Sequence, residues 1–215
     1  MTAFVENIKK SQPLLFSKLK SLYVLKSQFG AGGKWRRVAK NGAIKLELGS
    51  GQKLGTNGWT TVDMHGADIN YDLRKGIPLK DNTVDGIYTS HLFEHIPFND
   101  LVAFVSECHR VLKVGSSLSV CVPNSRLYIE AYMDGTDFRS RDSLFQPAAI
   151  KTNSLMDQVN YIAYMGDEHK YLFDQENLVN TLKTAGFADV KLREFDPDLD
   201  LEDRHFESIY ALATK

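Results

Sequence analysis

One short stretch, Ile44-Lys-Leu-Glu-Leu-Gly-Ser-Gly51, constrains this chain more than any other part of it. It reads as an apolar strand, Ala43–Leu48, that runs into an acid and two glycines. Glycine lets the backbone turn sharply and approach a ligand with no Cβ in the way. Open α/β sheets bind their ligands at the carboxyl ends of the strands. A tight turn without a ligand would use the same glycines, so this pattern alone names no partner. A second strand, Trp59–Met64, follows almost at once: only Gln52–Trp59 separates it from the glycines, and Gly55 and Gly58 fall inside that link. A parallel crossover usually needs a dozen or more residues. A helix behind the first strand is therefore reduced to a single turn or absent. The link from Asp63 to Asp72 is also too short for a helix.

Further along, Thr83–Ser90 reads as a third strand. Leu101–Leu112 reads as a helix whose apolar residues share one face and which stops before Gly115. Ser117–Val122 is another strand. Residues 125–170 are mixed and poorly periodic. Gln175–Thr184 is helical and is followed by Gly186, where a helix end favours glycine. Val190–Phe195 and Ser208–Thr214 read as strands. Strands alternating with helices predict a mostly parallel α/β sheet. Residues 3–28 carry Leu15, Leu19, Leu22 and Leu25 at helical spacing, with a basic opposite face that suits solvent or an anionic membrane surface. Gly30-Ala-Gly-Gly33 then punctuates the chain. The expected division is an N-terminal helical segment, 1–40, and a second unit, 41–215.

The chain has 215 residues, 43% of them apolar and 25% charged, which suits one domain with a sizeable core. Its formal net charge of −1 offers no electrostatic case for a nucleic-acid partner. The two cysteines, Cys108 and Cys121, form no metal-binding pattern and read as buried thiols, and no metal is expected. No apolar run approaches the ~20 residues that span a bilayer, and Met1–Lys10 lacks the apolar core of a signal peptide. A cytoplasmic location is expected.

Asp63 ends the second strand, where an acid can accept hydrogen bonds from ribose hydroxyls. It follows Gly49 by fourteen positions, short of the ~20 in dinucleotide sites, and a structural acid is the plainer alternative. From here the residues resemble class I methyltransferases that use S-adenosylmethionine (SAM). The likeness runs from Ile44 to Asn124, resumes at His169–Phe187, and presents its pieces in the family's order. Glu47-Leu-Gly-Ser-Gly51 resembles the first motif and Val62-Asp63 the ribose-binding acid. Asp72-Leu73 resembles the pair beside the adenine. Ile77–Asp85, Tyr88–His95, Glu107–Gly115 and Phe173–Phe187 resemble the segments that follow. Within the class the sequence looks most like a subgroup associated with polysaccharide and lipopolysaccharide gene sets.

The resemblance implies a Rossmann-like sheet, mostly parallel with a C-terminal antiparallel hairpin, whose helices after the first two strands are abbreviated. It implies SAM as cofactor, held by Glu47, Gly49, Ser50, Gly51, Asp63, Met64, Asp72 and Leu73. The acceptor is expected to be a small molecule or glycan, with an acceptor-binding insertion at about 125–173, where Tyr128, Tyr132, Tyr161, Tyr164, Tyr171 and Phe173 stand among Arg126, Arg139, Arg141, Lys151 and Lys170. Aromatic faces with polar handles suit sugars, and they suit a plain core equally well. A hydroxyl acceptor must lose a proton, and histidine is the commonest base near neutral pH. His91, just past the third strand read from the sequence, is a candidate as base or cofactor contact, or else as a polar cap. His169 is the second candidate base. His95 reads as structural, His109 and Arg110 as solvated, and His65 as a residue that touches the adenosine. Two rival readings remain open: a non-catalytic SAM-fold partner subunit, and a nicotinamide oxidoreductase, which the missing helix after the glycines disfavours.

Overall fold

The computed structural model describes residues 28–137 and 152–215; the expected helix over 3–28 falls almost wholly outside them, as do Arg139, Arg141 and Lys151. The described elements are α1 (Ala31–Val38), β1 (Lys45–Leu48), β2 (Trp59–Asp63), β3 (Ile69–Asn70), β4 (Gly86–Ser90), α2 (Phe98–Val111), β5 (Ser117–Pro123), α3 (Ser125–Met133), α4 (Met156–Tyr164), α5 (Gln175–Thr184), β6 (Asp189–Leu192) and β7 (Ser208–Thr214). Short 3-10 turns lie at Leu73–Lys75, Phe93–His95, Met165–Asp167 and Glu202–Glu207. The strands form one seven-stranded sheet in the order β3-β2-β1-β4-β5-β7-β6. Strands β1 to β5 pair in parallel, and β7 runs antiparallel to both β5 and β6. This is the expected Rossmann-like arrangement with its C-terminal hairpin.

The sheet's short edge replaces two crossover helices by loops. Strand β3 pairs only with the last two residues of β2, Val62 with Ile69 and Asp63 with Asn70. The chain thus returns one residue spacing rather than a full strand, and five residues suffice. The longer β1–β2 loop is organised by the Asp68 carboxylate. Its Oδ2 accepts hydrogen bonds from the Gly55 amide at 2.9 Å and from the Thr61 amide and hydroxyl at 3.0 Å each. Burial pushes the Asp68 carboxyl up, but these hydrogen bonds outweigh it and hold the group below its ordinary range.

Two expectations about local structure are corrected. Gly30–Gly33 does not simply interrupt the chain; it opens α1. Gly30, at φ 88°, sets the entry turn, and Ala31, Trp35 and Val38 bury one face in the main core. Trp35 meets Tyr71 edge-on at 5.6 Å between ring centres. That packing outweighs the weak helix propensity of glycine. Residues 125–170, read as aperiodic, contain α3 and α4. Helix α4 buries Asp157, Gln158 and Ile162, so two of its three inward residues are polar and no apolar stripe exists to be read. Both helices close over a small second core of Tyr128, Ala131 and Ile162. Strand β6 also ends at Leu192 rather than Phe195, because the chain there turns to place Arg193 against Asp200. No described helix is long and apolar enough to cross a membrane.

Candidate functional site

Because β1, β2 and β4 are parallel neighbours, their carboxyl ends open on one edge of the sheet. A cleft of about 520 Å³ lies there, within the range of small-molecule sites. Gly49, Asp63, Met64, Tyr71, Asp72 and Leu73 line it, together with Leu92, His95, Ile96, Phe104 and Glu107. Five of the sequence-predicted contacts, Gly49, Asp63, Met64, Asp72 and Leu73, therefore come together in its lining.

Each is placed by identifiable bonds. Gly49 has φ 73°, and a Cβ there would stand 2.8–2.9 Å from the Leu92 side chain. Its amide donates to Val62 O at 2.8 Å. Asp63 joins the two strand ends: Oδ2 accepts from the Gly51 amide at 2.9 Å and Oδ1 from the Met64 amide at 2.6 Å. A carboxylate has about four lone-pair positions, so two remain for a ligand. Asp72 is held by the Arg74 guanidinium at 2.8 and 2.9 Å. That contact is the main reason its carboxyl lies below the ordinary range.

Glu47, Ser50 and Gly51 do not line the cleft. Glu47 is buried on β1 and takes a hydrogen bond from Lys53 Nζ at 2.8 Å; the sequence reading missed Lys53. The Ser50 hydroxyl turns to Gly51 O. His91 is also absent from the lining. Its Nε2 lies 3.0 Å from Ser208 Oγ, whose own hydrogen goes to Arg204 O at 2.7 Å. Nε2 is therefore the protonated nitrogen, and Nδ1 faces Glu94 Oε1 at 3.5 Å. Burial, then the positive charge of Arg204, pulls His91 down to about 3.

His95 lines the cleft, although its sequence context read as structural. His169 packs edge-on against it at 5.0 Å. Burial holds His169 below its ordinary range, so it is neutral near pH 7. Beside them lies Glu94, which is 2% exposed; burial pushes its carboxyl up to about 8. One ligand atom from each of Glu94, His95 and His169 lies within 4.8 Å of the others. The available signal was His91-x-x-Glu94-His95, three chemistry-bearing residues on one turn after a strand.

Other histidines and basic residues have local roles. His65 Nε2 lies 3.2 Å from the Gln52 side chain. Arg110 and His109, read as solvated, are engaged. Arg110 pairs with Glu107 and Asp81 and donates to the carbonyls of Ile77 and Leu79, because the 77–81 loop folds over the end of α2. His109 packs edge-on against Phe187 at 4.9 Å. In the 125–173 region Tyr128 is buried and donates to Glu207 Oε2 at 2.6 Å, whereas Tyr132 and Tyr164 are exposed.

Residues 46–120, from β1 into β5, match the family described as a methyltransferase domain. The match covers the part of the sheet that carries the cleft. None of the curated proteins compared with it matches. Among solved structures it is similar to a SAM-dependent methyltransferase from Archaeoglobus fulgidus, with 17% identity, 91% of this chain and 99% of that one covered, and a TM-score of 0.49. It is also similar to a SAM-dependent methyltransferase from Aquifex aeolicus, with 16% identity, coverage of 92% and 96%, and a TM-score of 0.45. A third is the Haemonchus contortus phosphoethanolamine N-methyltransferase 2 in complex with SAM, with 13% identity, coverage of 99% and 60%, and a TM-score of 0.48.

Proposed function

We propose that the protein moves the methyl group of SAM to a hydroxyl of a small-molecule or glycan acceptor, a sugar hydroxyl before all others. The observation that carries the cofactor placement is the Asp63 carboxylate, which ties the ends of β1 and β2 together and keeps lone pairs directed at the cleft. The cleft fits the cofactor's shape. Gly49 lets the Leu92 side chain pack against the turn where a Cβ would collide with it, Asp63 accepts the ribose hydroxyls, and Asp72 with Leu73 flanks the adenine beside the apolar Tyr71, Ile96 and Phe104. Glu47 and Lys53 form an ion pair behind the glycines that matches the ammonium and carboxylate of the amino-acid end. Ser50 and Gly51 shape the loop between them.

SAM supplies a methyl group on a positively charged sulfur, so the chain's own task is to position, to exclude water and to manage one proton. His169 is our first candidate to take the acceptor's proton. Its Nδ1–H is spent on Ile162 O at 2.7 Å, which leaves Nε2 as a lone-pair nitrogen beside the cleft residue His95. His91 is the second, through Nδ1. The sugar assignment rests on the likeness to the polysaccharide-associated subgroup and on the tyrosines and basic residues of 125–173. The two free, buried cysteines accord with a cytoplasmic setting.

The test is release of S-adenosylhomocysteine with a panel of sugars, amines and small phenols. Turnover with a sugar or nucleotide-linked sugar is expected. Turnover with amines or phenols alone would remove the carbohydrate assignment and leave the methyltransferase intact.

A further inference from the structure

The cluster around Glu94 has a feature that the methyl-transfer reading does not use. Neither carboxylate oxygen has a hydrogen-bond partner among the described residues, although the side chain is 2% exposed. Its neighbours are imidazoles whose protons are already committed elsewhere. The proton of His95 Nδ1 goes to Glu168 O at 3.1 Å, leaving Nε2 as a lone pair 3.8 Å from Glu94 Oε1. The proton of His169 Nδ1 goes to Ile162 O. The proton of His91 Nε2 goes to Ser208, leaving Nδ1 at 3.5 Å from the same oxygen. Three imidazole lone pairs thus converge on the Glu94 carboxyl, which even when protonated has one proton to share among them. Buried acceptors without donors are costly, and a cation answers all of them at once.

The supports are those a metal ligand needs. Ligating histidines donate their second N–H to a carbonyl or carboxylate, which fixes the ring and the tautomer; His95 and His169 both do. The Lys170 and Tyr171 amides donate to Glu94 O at 2.6 and 3.2 Å and fasten the two ligand-bearing segments together. Atoms bound at ~2.0–2.2 Å to a tetrahedral ion stand roughly 3.4 Å apart, so small side-chain rotations close the 4.8 Å cluster.

We propose that Glu94, His95 and His169 form a binding site for a divalent first-row transition ion, opening on the SAM cleft through His95. Two imidazoles with one carboxylate favour such an ion, Zn2+ above all, over Mg2+. Three protein ligands leave a position open for an acceptor oxygen. This role rests on the methyl-transfer reading. A coordinated hydroxyl releases its proton to solvent, its oxygen takes the methyl group, and the C–S bonding pair stays on sulfur. His169 then holds the ion instead of taking the proton.

The full chain, stripped with a chelator and dialysed, is titrated with Zn2+ and with Mg2+ by calorimetry at neutral pH and without SAM. Co2+ is followed by visible absorption. One equivalent of Zn2+ with micromolar or tighter affinity is expected, together with Co2+ bands of a site containing nitrogen ligands. E94Q and H169A, checked for folding by circular dichroism, should each lose more than the ~10–100-fold that removal of an outer partner costs. Absence of stoichiometric Zn2+ binding by the native chain overturns the site. So does wild-type affinity in both variants. SAM binding is titrated separately, so failure of the metal site is distinguishable from failure of the cofactor reading.

Discussion

Replacing Arg193 by alanine should destabilise the fold by about 3–5 kcal/mol, the cost of stranding a buried charge. Arg193 follows β6 and grips Asp200 with both terminal guanidinium nitrogens, at 2.6 and 2.8 Å, and its Nε donates to Ser119 Oγ on β5 at 3.0 Å. The Asp200 side chain is only 1% exposed. Tyr88 on β4 donates to it at 3.0 Å and the Asp196 amide at 2.8 Å. One ion pair therefore holds β4, β5 and the β6–β7 connection together. Burial pushes the Asp200 carboxyl up, but Arg193 and the Asp196 amide outweigh it and hold it below its ordinary range. A depressed carboxylate adds stability above its unfolded pKa and loses it as pH falls through the folded value. Urea unfolding at neutral pH measures the change. A loss under about 1 kcal/mol would show that the pair merely offsets its own desolvation, and the double replacement R193M/D200N should recover part of the loss.

Alanine at position 169 should slow turnover by about 10²–10⁴, the usual worth of a positioned base, while SAM affinity stays nearly unchanged. The imidazole is buried at 4% exposure, neutral, and fixed by Ile162 O and the ring of His95. It is thus ready to take a proton or to hold an ion, and its removal harms either route. H91A is the companion variant. His91 lies behind Glu94, off the cleft lining, and its pKa is depressed to about 3, so it remains unprotonated throughout the working pH range. A smaller effect is expected there. Single-turnover methylation beside a SAM titration separates chemistry from binding. Full activity in both variants would leave positioning alone as the source of the rate.

Much of the fold was legible because its signals are local. Helix α5 matches its sequence reading, capped by Asp174 on the Asn177 amide at 2.7 Å and closed before Gly186. Strand β7 also matches. The missing crossover helices followed from chain length alone. What escaped depends on contacts between distant segments. Helix α1 forms under glycines because Trp35 packs on Tyr71. Helix α4 turns polar residues inward, where Asp157 serves the Thr152 amide and hydroxyl. The cleft wall of Gly49, Asp63 and Asp72 was visible as an ordered set of motifs. The Glu94–His95–His169 cluster was not, because it joins residues some 75 positions apart whose meeting depends on the Lys170 and Tyr171 amides reaching Glu94 O.

The central claim is that the cleft at the ends of β1 and β2 takes SAM, with Asp63 at its ribose. Calorimetric titration of the native chain and D63A with SAM and S-adenosylhomocysteine tests it most directly. The native chain should bind in the micromolar range, roughly −8 kcal/mol. D63A should bind more weakly by about 1.5–3 kcal/mol, the worth of a hydrogen bond to a charged group. An unchanged dissociation constant in folded D63A would move the ribose contact elsewhere. No heat from either ligand with the native chain, alongside clear binding of NADH, would contradict the account.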